Sequence, residues 1–534
     1  MSQLEQHLER PPEHPLEQPR WLTALAAALN AALPRLHGCA ADPLVVELIT
    51  ALTEALAEGQ LAVPLPSEAH RQALQGSPLA AEPYGPLVLE GDQLSWRRWQ
   101  QQRQAVLSAL LARAAQPLSR PDAAQQADAA LVQRYAQGLD AQQQAAVAAV
   151  LRCPVVLLEG GPGTGKTSTV ARMLAAATAQ DPTCRIQLAA PTGKAAARLR
   201  AALAGSDWPT ATLHRLLESR GDAFARNRHH LLELDLLVVD EVSMVDVPLM
   251  GALLEALPER CRLVLVGDAA QLPPVGPGSV LHDLQASACR QVLGAGAVQL
   301  RRTYRNNGAI AAVAAALREG DAALQPMLAA LPASANLHWL QHAAPGLPAP
   351  LLDRLRQRQQ QLQLLAAAGS TEPLLEALPQ LLVLSPLRRG RWGTEALHQA
   401  LLGELASRSP RHWPAGTPVL CTRNLDELGL ANGDVGVVIA RGGQHRLLFA
   451  PPVGAPLCLD AAQVPGAQPA FALTVHKAQG SEADEVWVLL PEGVRGLRPL
   501  LYTALTRARG EAWLITAAAP TLEPEPLTAR VSAP

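Results

Sequence analysis

The sequence predicts an α/β fold: two parallel-sheet domains, a small helical domain in front of them, and a small β-barrel inserted into the second. Three observations carry that prediction. From residue 139 onward, short Val- and Leu-rich runs alternate with helical segments, as in VVLLE (155–159), IQLAAP (186–191), LLVVDE (236–241) and LVLVGD (263–268). Runs that are apolar at nearly every position need both faces covered, the condition of a parallel strand between helices. A second set follows in LLVLSP (381–386), FALTVH (471–476), VWVLL (486–490) and AWLITA (512–517). Between the two halves of that set lie short alternating strands with NG and GG turn signals (417–453), the pattern of a small antiparallel barrel.

Taken in order, residues 1–20 are charged and Pro-rich, unlike a signal peptide, and read as a tail. Ala/Leu patterns such as WLTALAAALNAAL and RRWQQQRQAVLSALLARAA make residues 1–115 a helical N-terminal domain, tail included. The polar Ala/Gln stretch 116–138 reads as a linker. The first α/β domain then runs 139–280, the second begins at 281–415, the barrel occupies 416–466, and 467–534 completes the second domain. Residues 306–375 are Ala-rich and read as helix, and no repeat of fixed period is present.

Composition excludes more than it identifies. Net charge is −2, so no overall basic footprint exists, although a local basic groove remains compatible with nucleic acid. The seven cysteines are scattered, without a CxxC pair, which argues against a zinc site or a disulfide framework and fits a reducing compartment. No apolar run reaches membrane-spanning length, and a soluble, cytoplasmic protein is expected. The 45 Lys and Arg side chains include only three lysines, Lys166, Lys194 and Lys477.

The chemistry starts at EGGPGTGKTST (159–169), where Gly160, Gly165, Lys166 and Thr167 satisfy G-x-x-x-x-G-K-[ST] between a strand and a helix. The whole stretch Gly160, Gly161, Pro162, Gly163, Thr164, Gly165, Lys166, Thr167 and Ser168 is the expected phosphate cradle for ATP. Glycines let backbone N–H groups wrap phosphates, Lys166 reaches the β/γ-phosphates and the Thr167 hydroxyl binds Mg²⁺. In LLVVDEVSM, Asp240 at a strand end is the second expected Mg²⁺ contact. Glu241 beside it can orient the attacking water as a general base, which favours hydrolysis.

The ordered series around these two motifs resembles superfamily 1 helicases of the RecD family, over residues 139 to 515. The resemblance implies two RecA-like P-loop domains, an SH3-like inserted barrel and 5′-to-3′ movement on single-stranded DNA. It places Gln143 of LDAQQQAAV at the adenine, unless it is only one more polar residue of a Gln-rich stretch. It directs Pro191, Thr192 and Lys194 of APTGKAAARL, and Thr212 and His214 of ATLHRLL, toward DNA; for His214 a helix-start or core histidine is the alternative. Gln271 of GDAAQLPPV then senses the γ-phosphate, Tyr304 of LRRTYR stacks on adenine and Arg305 contacts the γ-phosphate. In TVHKAQGSE, Thr474, His476 and Lys477 face DNA while Gln479, Gly480 and Glu482 face nucleotide. Arg507 of YTALTRAR is the arginine finger. Residues 218–235 are either a short strand-parting hairpin or a plain connecting loop. Lys194 and Lys477 are expected on DNA phosphates or close backbone carbonyls, with a buried structural role as the alternative.

The short N-terminal segment is more similar to family members inside a RecBCD-type helicase–nuclease than to longer stand-alone ones. That resemblance implies RecB-like and RecC-like subunits as partners in a heterotrimer, with the N-terminal domain docked on the RecC-like chain. The nuclease site is then expected in the RecB-like chain, since no nuclease-type carboxylate cluster is evident here. It also implies single-stranded DNA and duplex ends as substrate. A stand-alone helicase, the helicase module of a relaxase-like protein, and a structural subunit with an idle ATPase remain alternatives.

Overall fold

Alternate residues of the apolar runs enter opposite cores, which is why the runs carry no polar face. Val155, Leu157, Leu237, Val239, Leu263 and Leu265 pack on one side of the first sheet, and Val156, Leu158, Leu236, Val238, Val264 and Val266 on the other. The computed structural model describes residues 20–116, 122–203, 207–221, 223–304, 308–320, 324–332, 334–344, 346–451, 454–494, 496–518 and 520. The expected tail up to residue 19 lies outside them.

The N-terminal segment holds the helices Arg20–Leu36, Pro43–Ala57 and Glu68–Gln75. Asp42 accepts the Leu44 N–H at 2.8 Å and Pro43 opens the second of these, a helix start written in the sequence. Beyond the helices it contains an antiparallel sheet of β1 (Ala62–Pro64), β2 (Leu87–Glu90) and β3 (Gln93–Trp96) in the order β1-β3-β2. These strands of three or four residues are too short to show a period. The following helix, Arg97–Ala115, buries Val106 and Leu110 in a core of the first large sheet. Its Arg103 donates to both carboxylate oxygens of Asp283, at 2.8 and 2.7 Å, and Arg113 to the carbonyls of Pro258, Glu259 and Cys261.

Residues 116–138 are not the linker the composition predicts. They include the helix Asp122–Tyr135, whose Leu131, Val132 and Tyr135 pack against the first sheet's core. Three apolar side chains on one face suffice for docking, and the Ala/Gln majority hides them. The first sheet comprises β4 (Val155–Gly160), β5 (Ile186–Ala190) and β6 (Thr210–Thr212), then β9 (Leu236–Val239), β10 (Arg262–Gly267) and β11 (Ala297–Leu300). All are parallel, in the order β11-β4-β10-β9-β5-β6. Because β11 pairs with β4, the expected boundary at residue 280 falls inside this unit. Between β6 and β9, β7 (Ser219–Arg220) and β8 (Ala223–Phe224) form a two-stranded antiparallel hairpin within 218–235.

The second sheet is also parallel and is built from β12 (Leu337–Gln341), β13 (Leu381–Ser385), β19 (Leu473–Thr474), β20 (Ala483–Leu490) and β21 (Ala508–Thr516), ordered β12-β21-β20-β13-β19. The edge strand β12 lies in the stretch expected to be helical. It is held by backbone pairing with β21 and by His338 stacked on Trp513, with ring centroids 4.3 Å apart. Between β13 and β19 in the chain sits an antiparallel sheet of β14 (Pro418–Leu420), β15 (Val435–Arg441), β16 (Gln444–Phe449), β17 (Leu457–Leu459) and β18 (Gln468–Pro469). It ends at Pro469 rather than 466.

Arg103→Ala should detach the helix Arg97–Ala115 from the first sheet, because Asp283, whose side chain is 10% exposed, loses its bidentate partner. Amide exchange across that helix should speed up by the equivalent of about 2 kcal/mol. Unchanged exchange would show that the pair contributes nothing to docking.

Candidate nucleotide and nucleic-acid site

β4 ends at Gly160 and the helix Lys166–Gln180 begins six residues later, so the chain must reverse tightly. Gly163 and Gly165 make the turn with φ of +74° and +81°, where a side chain would be strained. A Cβ on Gly160 would lie 2.5 Å from the Thr164 hydroxyl. That hydroxyl donates to the Gly161 carbonyl at 2.8 Å, and those of Ser168 and Thr169 donate to the Gly165 carbonyl at 2.8 Å. The Lys166 ammonium folds over the loop onto the carbonyls of Gly160 (2.5 Å) and Gly161 (3.1 Å). Pro162 and Thr167 are half-buried at the rim. The result is a ring of backbone N–H groups at a helix N-terminus with one cation above it, a cradle for phosphate.

Beside the cradle, Asp140 caps the helix Ala141–Arg152, accepting the N–H groups of Gln142 and Gln143 at 2.9 Å. The Gln143 Oε1 accepts the Asp140 N–H at 3.2 Å. Its Nε2 stands 2.8 Å from the place a Cβ on Gly165 would take. Gln143 thus belongs to the cradle as well as to the cap. Tyr304 closes this side: its N–H donates to the Gly163 carbonyl at 2.8 Å, its hydroxyl to Asp140 at 2.9 Å, and its ring stays 49% exposed, with Arg302 over one face. Arg305 lies outside the described residues.

At the floor, Asp240 follows β9 and Glu241 takes φ +53°, a left-handed conformation that a non-glycine residue adopts only under constraint. Burial, together with repulsion from Glu241, pushes the Asp240 carboxyl up to about 6, although the Lys166 ammonium draws it down. Asp268 after β10 accepts the Tyr502 hydroxyl at 2.7 Å and the Gln271 side chain at 3.4 Å. The Leu272 N–H donates to the Thr503 hydroxyl at 2.8 Å, tying the second unit to the same loop.

The second unit supplies the facing wall. Arg507 is 3% exposed; burial lowers its pKa against the raising influence of Glu241. Its guanidinium donates to the Thr503 carbonyl at 3.0 Å. Gly480 and Glu482 meet the helix Gly193–Ala202 of the first unit. Arg198 on that helix pairs with Glu482 and donates to the Gly480 carbonyl at 3.4 Å. One turn earlier, the Lys194 ammonium donates to the Ser481 hydroxyl at 2.5 Å and the Gly433 carbonyl at 3.2 Å. Among the described residues, the buried Gln479 Nε2 finds no hydrogen-bond partner.

The residues expected at DNA lie at the C-terminal ends of the two sheets. Pro191 and Thr192 follow β5, and Thr192 caps the Gly193–Ala202 helix by accepting the Ala195 N–H. Thr212 ends β6 and caps Leu213–Leu216, while His214 is exposed with its ring 6.0 Å from Phe224 of the hairpin. Thr474 ends β19, His476 is exposed, and the Lys477 ammonium donates to the Gln468 side chain at 3.3 Å. Arg198, Ser481, Asp268 and Tyr502 are parts that motif matching did not assign. A basic residue four positions after Lys194 on one helix face was the available signal for Arg198. Among the described residues, no group of three or more His, Cys, Asp or Glu side chains could hold a metal.

Residues 143–277 match the AAA domain family, and residues 469–515 match the UvrD-like helicase C-terminal domain. The chain is 37% identical to the RecBCD enzyme subunit RecD of Mycolicibacterium smegmatis, over 84% of this chain and 82% of that protein. It is 33% identical to the ATP-dependent RecD2 DNA helicase of Deinococcus radiodurans, over 74% of this chain and 53% of that protein. A crystal structure of Bacteroides Pif1 bound to ssDNA matches at 18% identity and a TM-score of 0.43, over 72% of this chain and 93% of that one.

The raised Asp240 pKa has a signed consequence. The folded protein keeps that proton until about pH 6, whereas the unfolded chain releases it near the ordinary aspartate value of 3.8. Stability from this group therefore falls as pH rises through that window. Asp240→Asn should be more stable than the parent above about pH 6, by on the order of 1–3 kcal/mol. The advantage should shrink toward zero below about pH 4. Thermal unfolding of both proteins across this range decides it, and equal stability at high pH would contradict the assignment.

Proposed function

We infer that this chain, which belongs to the RecD family of DNA helicases, is an ATP-driven 5′-to-3′ DNA translocase working as a subunit of a RecBCD-type helicase–nuclease. The observation that carries the motor reading is the cleft between the two parallel sheets. Lys166, Asp240 and Glu241 stand on one wall and Arg507 on the other. In this reading the first sheet with its helices is one RecA-like domain, the second sheet is the other, and the inserted antiparallel sheet is an SH3-like barrel.

The residues present fit ATP and Mg²⁺. The cradle offers free N–H groups, the Gln479 amide lacks a partner, and Thr167 with Asp240 supplies one hydroxyl and one carboxylate. Thr167 and Asp240 would hold the magnesium ion. It would supply charge neutralisation at the phosphates, while Lys166 and Arg507 oppose the negative charge that develops on the γ-phosphoryl oxygens. Glu241 accepts the proton of the attacking water, Gln143 and Tyr304 hold the base, and Gln271 reads the γ-phosphate through Asp268.

Hydrolysis moves DNA only if the cleft is geared to the grip. The helix Gly193–Ala202 begins at the DNA-side Thr192 and reaches Gly480–Glu482 at the nucleotide side, so a change in the cleft shifts both ends together. Pro191, Thr192, Thr212, His214, Thr474, His476 and Lys477 would line the DNA path, gripping phosphates through hydroxyls and cations. The hairpin at 219–224 stands near His214 and is the candidate for parting the duplex. The N-terminal segment, fixed to the first sheet through Arg103 and Arg113, would dock a RecC-like subunit, with the nuclease in a RecB-like one.

Lys166→Gln should lower DNA-stimulated ATP hydrolysis by about 10²-fold or more while leaving co-purification with RecB-like and RecC-like subunits unchanged. Normal hydrolysis by that variant would refute the mechanism. The parent should unwind 5′-tailed and not 3′-tailed duplex; activity without any such partner bound would favour a stand-alone helicase.

A further inference from the structure

Arg318 has no role in the motifs, yet it points at the nucleotide cleft. It sits in the last turn of the helix Ala309–Glu319, whose Ile310, Val313, Ala314 and Leu317 are buried in the second unit's core. The helix packs beside Leu497–Leu505, and this carries Arg318 across to the first unit's phosphate loop. One guanidinium nitrogen, Nη1, lies 3.6 Å from the place a Cβ on Gly161 would occupy. The Tyr502 hydroxyl lies 2.9 Å and an Asp268 carboxylate oxygen 4.0 Å from the same point.

Gly161 is also the residue whose carbonyl holds the Lys166 ammonium. Two cations, one from each unit, therefore converge on the second residue of the loop. Arg318 is half-buried and makes no hydrogen bond or ion pair among the described residues. A cation in a helix's last turn is commonly accounted for by the helix dipole. That account needs only a solvated side chain near the terminal carbonyls. It gives no reason for the side chain to cross to another unit's loop and stay unpaired there.

We propose that Arg318 is a further catalytic residue, an arginine that binds the terminal phosphate of the nucleoside triphosphate from the second unit. This rests on the nucleotide reading of the cleft. In the reaction the water oxygen bonds to the γ-phosphorus as the bond to the β–γ bridging oxygen breaks. The diphosphate leaves with that electron pair, and the water's proton passes to Glu241. Charge on the γ-phosphoryl oxygens is what the Arg318 fork meets, alongside Arg507, and a diphosphate offers it no such group. The Tyr502 hydroxyl donates to Asp268 at 2.7 Å, so that carboxylate is already engaged and the guanidinium is left for phosphate.

The test compares Arg318→Ala and Arg318→Lys with the parent and with Lys166→Gln, in the full-length chain. Three quantities are measured: DNA-stimulated ATP hydrolysis, affinity for ADP, and affinity for a non-hydrolysable triphosphate analogue. Arg318→Ala should lose about 10²-fold in hydrolysis. It should also lose about tenfold in affinity for the triphosphate analogue and nothing for ADP. Arg318→Lys keeps the aliphatic stem and one charge, and should fall between. Equal losses for ADP and the analogue in both variants would show a packing role and overturn the proposal. So would parent-like hydrolysis by Arg318→Ala while Lys166→Gln is inactive. A parent-like Lys166→Gln would instead sink the nucleotide reading, and this proposal with it.

Discussion

The structure turns on how charge is held out of water between two sheets. Asp240, Glu241, Asp268 and Glu482 share one cleft with Lys166, Lys194, Arg198, Arg318 and Arg507. Unpaired ions in such a place cost several kcal/mol each, so every stable arrangement must pair them or give them to a ligand. Some are satisfied by the protein: Arg198 by Glu482, Lys194 by a hydroxyl and a carbonyl, Asp268 by Tyr502. Others stay under-satisfied. Asp240 has its pKa pushed up, Arg507 has its pKa pushed down, and the Gln479 amide has no partner. The imbalance is concentrated in this one cleft, and perturbed ionisable groups gathered in a cleft mark a candidate functional site.

The pairs already made run between the two units, and those of Lys194 and Arg198 both start from one ten-residue helix, Gly193–Ala202. Its first turn packs against the inserted antiparallel sheet so closely that a Cβ on Gly193 would lie 2.5 Å from the Ala431 side chain. A helix this short moves as a rigid body. Displacement at Glu482 therefore arrives at Thr192 with little loss, and no longer chain of contacts is needed to join cleft and groove.

Legibility followed burial and length. The four runs of the first sheet and the phosphate loop could be read directly, because an interior strand is apolar on both faces and a cradle needs its glycines. What escaped were elements defined by pairing rather than pattern. β11 is four residues of AVQL, paired with β4 and burying only Val298 and Leu300 in the core, too short a pattern to read, so the chain beyond residue 280 looked like the next domain. β12 and the strands β1–β3 are equally short, and the helix Asp122–Tyr135 shows three apolar side chains within a run of Ala and Gln. In the candidate site, the motifs singled out Lys166, Asp240 and Arg507, and these side chains border one cleft. Only coordinates could show that Lys194 faces inward and that Glu482 is engaged by Arg198.

Lys194 and Arg198 also explain why an arginine-rich chain keeps its lysines. They stand one turn apart and reach neighbouring residues of the same strand-end loop, yet they are not exchangeable. Arg198 meets a carboxylate and a carbonyl two residues apart, a spacing that a planar fork spans. Lys194 meets a hydroxyl and a carbonyl belonging to different segments. A guanidinium's donors are fixed in one plane, which suits acceptors side by side rather than two drawn from separate segments. Lys166 repeats the geometry on two successive carbonyls of the phosphate loop. In both cases convergent acceptors around a small space suit a rotatable ammonium better than a planar fork.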